Sequence, residues 1–310
     1  MTATRHMSTL VRRINDTNNY IYIPSLAGAV VSFLIFALIT GVLAWQLVRY
    51  RVRYPTIFVL GAAFEALGYL FRTLSASGDR VMNFTLFILM DMFVILSPLA
   101  FMAGLYITYG RLLSRFTTTT GGSGKGFRFS FIPASRYAKL FVACDVTSFL
   151  IQAAGAGLIV SKDAGTAATG KWILMAGLAF GLFSFSIFVA CVVYASVRVR
   201  RAERAGTFVA LGLAPNWRWV LLPVSVSALC ILARTVYRMV EFADGYHGHI
   251  YSTEWYLYVF DTTLMVICIA VWVPFFPAQY GLTQTLRPDD EQLSTRSTED
   301  HVTVVTGEKV

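Results

Sequence analysis

Long apolar runs broken by short polar ones make up most of the chain. Residues 24–47, 55–74, 82–110, 137–160, 170–197, 218–241 and 253–276 are each long enough and apolar enough to cross a bilayer. A hydrocarbon core of about 30 Å takes about 20 helical residues. Backbone N–H and C=O groups find no water there, so each run must satisfy its own hydrogen bonds as a helix. Barrel strands would be half as long and would alternate. The pattern predicts an all-α integral membrane protein, multi-pass, built as a seven-transmembrane-helix bundle. Residues 1–23 form a tail before the membrane domain at 24–276, and residues 277–310 form a second tail after it. Met1 to Tyr22 is polar, so no cleavable signal peptide is expected and the first span acts as its own signal.

Composition agrees with this pattern. The 310 residues are 56% hydrophobic with a mean hydropathy of +0.61. Only 14% are charged, against roughly a quarter in an ordinary soluble domain. A soluble globular domain, a disordered chain and a nucleic-acid-binding module are thereby excluded, and the net charge of +9 calls for a membrane explanation. Its distribution supplies one. Arg49, Arg51 and Arg53 follow span one. Arg111, Arg115, Lys125, Arg128 and Arg136 follow span three, and Arg198, Arg200, Arg201, Arg204 and Arg218 follow span five. The opposite loops hold Arg80, Lys162 and Lys171, and the first tail holds Arg5, Arg12 and Arg13. Because basic loops stay cytosolic, the N-terminus is expected outside and the C-terminus in the cytosol. The plasma membrane is the favoured location, with an internal membrane as the alternative. Asn15-Asp16-Thr17 is then a glycosylation sequon in the outward tail. A second match, Asn83-Phe84-Thr85, sits too close to the membrane for use.

Thr117 to Gly126 reads as a flexible cytosolic linker. From Gly281 onward the second tail reads as disordered and Ser/Thr-rich, open to cytosolic tail-binding partners. Cys144, Cys191, Cys230 and Cys268 all lie inside apolar runs, so no disulfide framework is expected. Small residues at Ala153 and Gly157, and at Gly177 and Gly181, are expected to mark close helix contacts. The sequence leaves room for a homo-oligomer.

The informative residues are ionisable ones inside the runs. Each costs about 3 kcal/mol at the bilayer centre if unpaired. Span two carries Glu65, Tyr69 and Arg72, span six Arg234, Arg238 and Glu241, and span seven Glu254, Tyr258 and Asp261. Each triple is spaced i, i+4, i+7, which on a helix falls within an arc of roughly 60°. Lipid cannot accept such stripes, so they are expected to face the bundle interior or a wet cavity. Orientation places Glu65 near mid-membrane and Arg72, Asp91, Arg234, Arg238 and Asp261 toward the outer leaflet. Glu241 and Glu254 fall near the outer rim, Asp145 in the inner half and Gln152 nearer the middle. The outer set has five carboxylates (Glu65, Asp91, Glu241, Glu254, Asp261) against three guanidiniums (Arg72, Arg234, Arg238). That surplus favours a cation or holds carboxylates protonated. Interhelical ion pairs that only fix register are the competing explanation for any single residue.

At these stripes the chain resembles the fungal lipid-translocating exporter family, the RTA-like proteins named for resistance to aminocholesterol. The matching stretches are Phe64-Glu65-Ala66-Leu67-Gly68-Tyr69 through Arg72, and Ser97-Pro98-Leu99-Ala100 through Tyr106, Gly110 and Arg111. They continue with Asp145-x-x-Ser148-x-x-x-Gln152-x-x-Gly155-x-Gly157, then Arg234-x-x-Tyr237-Arg238-x-x-Glu241, Gly245, Glu254, Tyr258 and Asp261. After span seven the chain departs from the family's His-Pro pair and reads Val273-Pro274-Phe275-Phe276-Pro277. The resemblance implies seven helices with the N-terminus outside, and release of or tolerance to sphingoid long-chain bases and toxic amphiphiles, with one branch linked to porphyrin uptake.

Together these readings predict a transporter of amphiphilic lipids, with cationic sphingoid bases leading. Glu65, Asp91 and Asp261 would be the counter-ions for an amine headgroup, held in place by Arg72, Arg234 and Arg238. The alternative is a seven-helix receptor signalling lipid or toxin stress. It lacks an Asp-Arg-Tyr at the end of span three, where Tyr109-Gly110-Arg111 stands, and it lacks an outer Cys pair. Spans six and seven contain no Lys for a retinal Schiff base. His6, His247, His249 and His301 all lie outside the spans, and the His247-x-His249 pair reads as a solvated loop turned by Gly245 and Gly248. No metal, no cofactor and no enzyme activity are expected.

Overall fold

Ser25 opens the first helix. Its backbone is extended and its Oγ accepts the Gly28 N–H at 3.2 Å, a cap that satisfies one orphan donor of the first turn. The computed structural model that follows from there describes residues 25–76, 84–118, 134–159, 163–206, 208–210, 217–244 and 253–280. Helices α1 (Leu26–Tyr50), α2 (Thr56–Ala76), α3 (Phe84–Leu113), α4 (Ala134–Ile159), α5 (Ala164–Arg204) and α6 (Leu221–Asp244) succeed one another. A final segment comprises α7 (Glu254–Leu257), a π-helical turn (Tyr258–Thr263) and α8 (Leu264–Ala270). Among the described residues, six helices are long and apolar enough to cross a membrane, the sixth counted from Arg218 through the short 3-10 turn before α6. The protein is thus a helical, multi-pass membrane protein.

The bundle is apolar outside and partly polar inside, the reverse of a soluble fold. Leu38 on α1 is 70% exposed and Phe183 on α5 66%, whereas Glu65 is 1% and Arg72 2% exposed. Outward leucines and phenylalanines suit lipid. Inward charges must find their partners within the bundle.

Several sequence expectations shift in detail. α5 runs well past the expected 170–197, at both ends. At 1.5 Å per residue it is about 60 Å long, twice the hydrocarbon core, so its Arg-rich end projects into water. Asp163 caps its start, accepting from the Thr166 N–H at 2.9 Å and Oγ1 at 2.7 Å, and these bonds hold the Asp163 carboxyl below its usual range. The last segment is shorter than the expected 253–276. Its helical part ends at Ala270 and gives way to turns, because Pro274 and Pro277 lack the N–H groups that Ala270 and Val273 carbonyls would accept. Val273 N–H takes the Ala270 carbonyl instead at 3.0 Å, and Gln46 of α1 donates to the Val273 carbonyl at 2.8 Å. The first residues of the expected linker are not linker. Phe116–Thr118 (β1) pairs antiparallel with Phe208–Ala210 (β2), Phe116 opposite Ala210, which brings the loops after α3 and α5 to the same end of the bundle. Residues 119–126, the tails 1–23 and 281–310, both sequon asparagines and all four histidines lie outside the described residues. Pro277 is buried, so the bundle reaches slightly beyond 276.

Consecutive helices α1 to α6 pack side by side, α6 also packs on α3 and α8, and α8 reaches back to α1. Helices α3, α4, α5 and α6 therefore close a ring. The tightest seam is α4 on α5. A methyl group at Gly155 would sit 2.8 Å from the Gly170 carbonyl, so the two backbones touch there. The expected Ala153/Gly157 contact is not formed, since Ala153 is exposed and Gly157 has nothing nearby. Gly177 and Gly181 do pack, against Gln152 and Ser148.

Candidate functional site: a carboxylate and guanidinium cluster in the bundle

The three stripes turn inward and meet. On α2, Glu65, Tyr69 and Arg72 are all within 2% of full burial. Arg72 Nη2 donates to Glu254 Oε1 at 2.8 Å, across from α2 to α7. Glu254 also accepts Tyr258 Oη at 3.2 Å and the Ser25 N–H at 3.0 Å, so it ties the start of α1 to the last segment. Tyr69 shares a hydrogen bond with Thr262 in the π turn.

Asp261 is the centre of the cluster. Arg238 grips it through Nε to Oδ1 at 3.1 Å and Nη2 to Oδ2 at 3.2 Å, a two-pronged fork. Arg234 Nε stands 2.7 Å from the same Oδ1, as a close ion pair rather than an aligned hydrogen bond. Arg238 Nη1 reaches Glu241 Oε2 at 3.2 Å, and Tyr237 Oη donates to Glu241 Oε1 at 3.3 Å. The π turn presents Asp261. Its wider i to i+5 spacing is matched by Thr263 Oγ1, which donates to the Tyr258 carbonyl at 2.8 Å.

Arg234 has a second anchor with a local cause. Pro98 interrupts α3 and has no N–H, which leaves the Val94 carbonyl without its helical partner. Arg234 Nη2 donates to that carbonyl at 3.1 Å. A proline on one helix thus creates the acceptor that positions an arginine on another.

The pairing uses Glu241, Glu254 and Asp261 against Arg72, Arg234 and Arg238. Asp261, expected as a counter-ion held in place by arginines, is held by two of them, Arg234 and Arg238. Among the described residues, Glu65, Asp91 and Asp145 have no ion pair. Glu65 Oε1 is buried without a hydrogen-bond partner. Asp91 on α3 is half-buried, within electrostatic reach of Arg238 and Asp261. Asp145 on α4 is 3% exposed. Its Oδ2 accepts Tyr106 Oη at 2.6 Å, and its Oδ1 has no partner.

Asp145 is not segregated from the arginines. A cavity of about 90 Å³ at the centre of the α3–α6 ring is lined by Asp145, Ser148 and Gln152 from α4 and by Arg234, Thr235 and Arg238 from α6, with Met102 and Phe185 among its apolar walls. A water needs about 10–15 Å³ measured this way, so several fit, or one small headgroup. Gln152 Nε2 donates to Ser148 Oγ at 2.9 Å, and Ser148 donates to the Gly177 carbonyl at 2.8 Å. Gly181 leaves the space that Ser148 fills.

The sequence reading named Tyr106, Ser148 and Pro98 only within the family-matching stretches and gave none of them a place in the site. A proline inside an apolar run is a signal for a freed carbonyl, and Ser148 four residues before Gln152 is a signal for a polar pair on one face. Nothing local signals the π turn.

The family model described as RTA1 like protein matches residues 58–284. Protein RTA1 of Saccharomyces cerevisiae is 29% identical over 71% of this chain and 64% of its own length. The protoporphyrin uptake protein 1 of the same yeast is 31% identical over 69% and 67%, and the probable lipid transporter atnI of Emericella nidulans 29% over 82% and 66%. A sphingoid long-chain base transporter, RSB1 of Saccharomyces cerevisiae, is 26% identical over 82% and 72%. The chain thus spans about two thirds of the length of these relatives. No solved structure matches.

Proposed function

The chain belongs to the RTA1-like protein family, and from that premise we propose that it moves amphiphilic lipids across the membrane, those with a cationic headgroup first. The reading is carried by one observation: among the described residues the bundle holds three carboxylates in no ion pair, and one of them, Asp145, lines a largely apolar cavity that also holds Ser148, Gln152 and Thr235. A cationic headgroup supplies the missing charge, while the apolar body of an amphiphile stays against lipid. Glu65 and Asp91 add negative potential from α2 and α3. Arg72, Arg234, Arg238, Glu241, Glu254 and Asp261 hold the walls in register, with Tyr69, Tyr237 and Tyr258 completing their hydrogen bonds. Gln152 and Ser148 offer neutral polar contacts beside the headgroup. Relatives named as a lipid transporter and as a sphingoid long-chain base transporter support the same class.

In this reading the last segment is a seventh span. Its helical part, at about 25 Å, is completed by the turns after Ala270. The N-terminus is outside and the C-terminus cytosolic, because the Arg-rich ends of α1, α3 and α5 share one side. The plasma membrane is the site of action. The protein binds and moves its ligand without making or breaking any of the ligand's covalent bonds.

The test is purified protein in liposomes, assayed for leaflet-to-leaflet movement of a long-chain amine carrying a fluorophore on its chain. Movement faster than in protein-free liposomes, and slowed by Glu65→Gln, is expected. Movement equal to protein-free liposomes overturns the reading, and a ligand-dependent cytosolic partner without lipid movement would replace it with a receptor.

A further inference from the structure

We propose that Asp145 is an exchange seat, holding either a proton or the cation of a bound amphiphile, so that one proton leaves for each cation that enters. The proposal takes its ligand class from the transport reading and adds the coupling.

Of the three carboxylates without an ion pair among the described residues, Asp145 alone lines the cavity. It is 3% exposed, one oxygen is occupied by Tyr106 at 2.6 Å, and the other has no partner. The groups that face it can be named helix by helix. Tyr106 comes from α3, and Ser148 and Gln152 from α4 itself. Arg234 and Arg238 come from α6, and both are committed to Asp261, with Arg238 also on Glu241. The residues of α5 that line the cavity, Leu178, Gly181 and Phe185, have no ionisable group.

A carboxylate so placed cannot stay charged and unpaired in a low-dielectric interior without cost. A proton on the unpartnered oxygen neutralises it, and so does a cationic headgroup in the cavity. Both cannot occupy the same oxygen. Entry of the cation therefore breaks the carboxyl O–H bond, the electron pair stays on oxygen, and the proton leaves to solvent. The seat has the same net charge when filled by either occupant, so the exchange is electroneutral.

The test uses full-length protein in detergent and hexyltrimethylammonium as probe. This cation has no acidic N–H, so any proton released comes from the protein. Titration calorimetry in buffers of different ionisation enthalpy counts protons released per probe bound. Wild type should release up to one proton per probe at the acid end of the range in which buried carboxylates titrate, about pH 4 to 9, and none at the alkaline end. D145N should bind the probe about tenfold or more weakly and release no proton. L38A, which alters only the lipid-facing side of α1, should release as wild type does. Wild type that does not bind the probe, or releases no proton anywhere in that range, overturns the proposal whether or not D145N folds. So does release that survives in D145N and disappears in E65Q. Liposomes separate the two readings: proton release without lipid movement sinks transport and keeps the exchange, and lipid movement without proton release does the reverse.

Discussion

The acids of the bundle interior fall into two groups that differ in partners rather than in burial. Asp261, Glu241 and Glu254 sit on α6 and the last segment, and each has a guanidinium within 3.2 Å. Glu65 and Asp145 sit on α2 and α4, are as deeply buried, and each keeps an oxygen without a partner. A buried ion pair with good geometry roughly offsets its own desolvation, and removing one member leaves a bare charge. A buried carboxylate with no cation is a standing cost that a fold has no structural reason to keep. The first group explains how the helices hold together. The second calls for a ligand or a proton.

The largest expected effect is on the paired side. Asp261→Ala leaves two guanidiniums without their carboxylate and should destabilise the protein by about 3–5 kcal/mol in thermal or denaturant unfolding in detergent. A loss under about 1 kcal/mol would mean that the cluster is not an anchor. Asp145→Asn should do the opposite. It removes a charge that nothing pairs, keeps the Tyr106 hydrogen bond through the amide oxygen, and should change stability by less than about 1 kcal/mol while amine transport falls about tenfold or more. If the two variants behave alike in both assays, the division between the groups is wrong.

A smaller effect tests the link between α3 and α6. Pro98→Ala restores an N–H that competes with Arg234 for the Val94 carbonyl. A double-mutant cycle with Arg234→Lys should give a coupling of about 1 kcal/mol, and strict additivity would remove the link. The smallest effect comes from a paired carboxylate in water. Asp163 is held below its ordinary pKa by Thr166. A depressed folded-state pKa means that its cap is fully in place above the unfolded Asp value of about 3.9 and is lost as pH falls below it. Hydrogen exchange in the first turn of α5 should speed up in that acid window, and a pH-independent rate there would contradict the assignment.

Much of this division was legible in the sequence. The i, i+4, i+7 spacing of Glu65, Tyr69 and Arg72, and of Arg234, Arg238 and Glu241, sets an inward stripe by helix geometry alone, and the surplus of acids over arginines follows from counting. Which acid takes which arginine was not legible, because those contacts join residues up to 182 apart in sequence, as in Arg72 with Glu254. That Asp261 takes both Arg234 and Arg238 was not legible either, because it is presented by a π turn that hydropathy does not encode. Asp145 looked remote because depth was read one helix at a time, whereas Arg234 and Arg238 line the same cavity from the side. The strands β1 and β2 escaped notice because Phe116-Thr117-Thr118 and Phe208-Val209-Ala210, three residues each, carry too little periodicity to register.

The most direct measurement is the rate at which a chain-labelled long-chain amine changes leaflet in liposomes containing wild type, D145N, or a lipid-facing control such as L38A. Rapid movement with wild type and L38A, and near-background movement with D145N, is the predicted result. Equal rates for wild type and D145N would contradict the assignment of an unpaired carboxylate as the place where the headgroup sits.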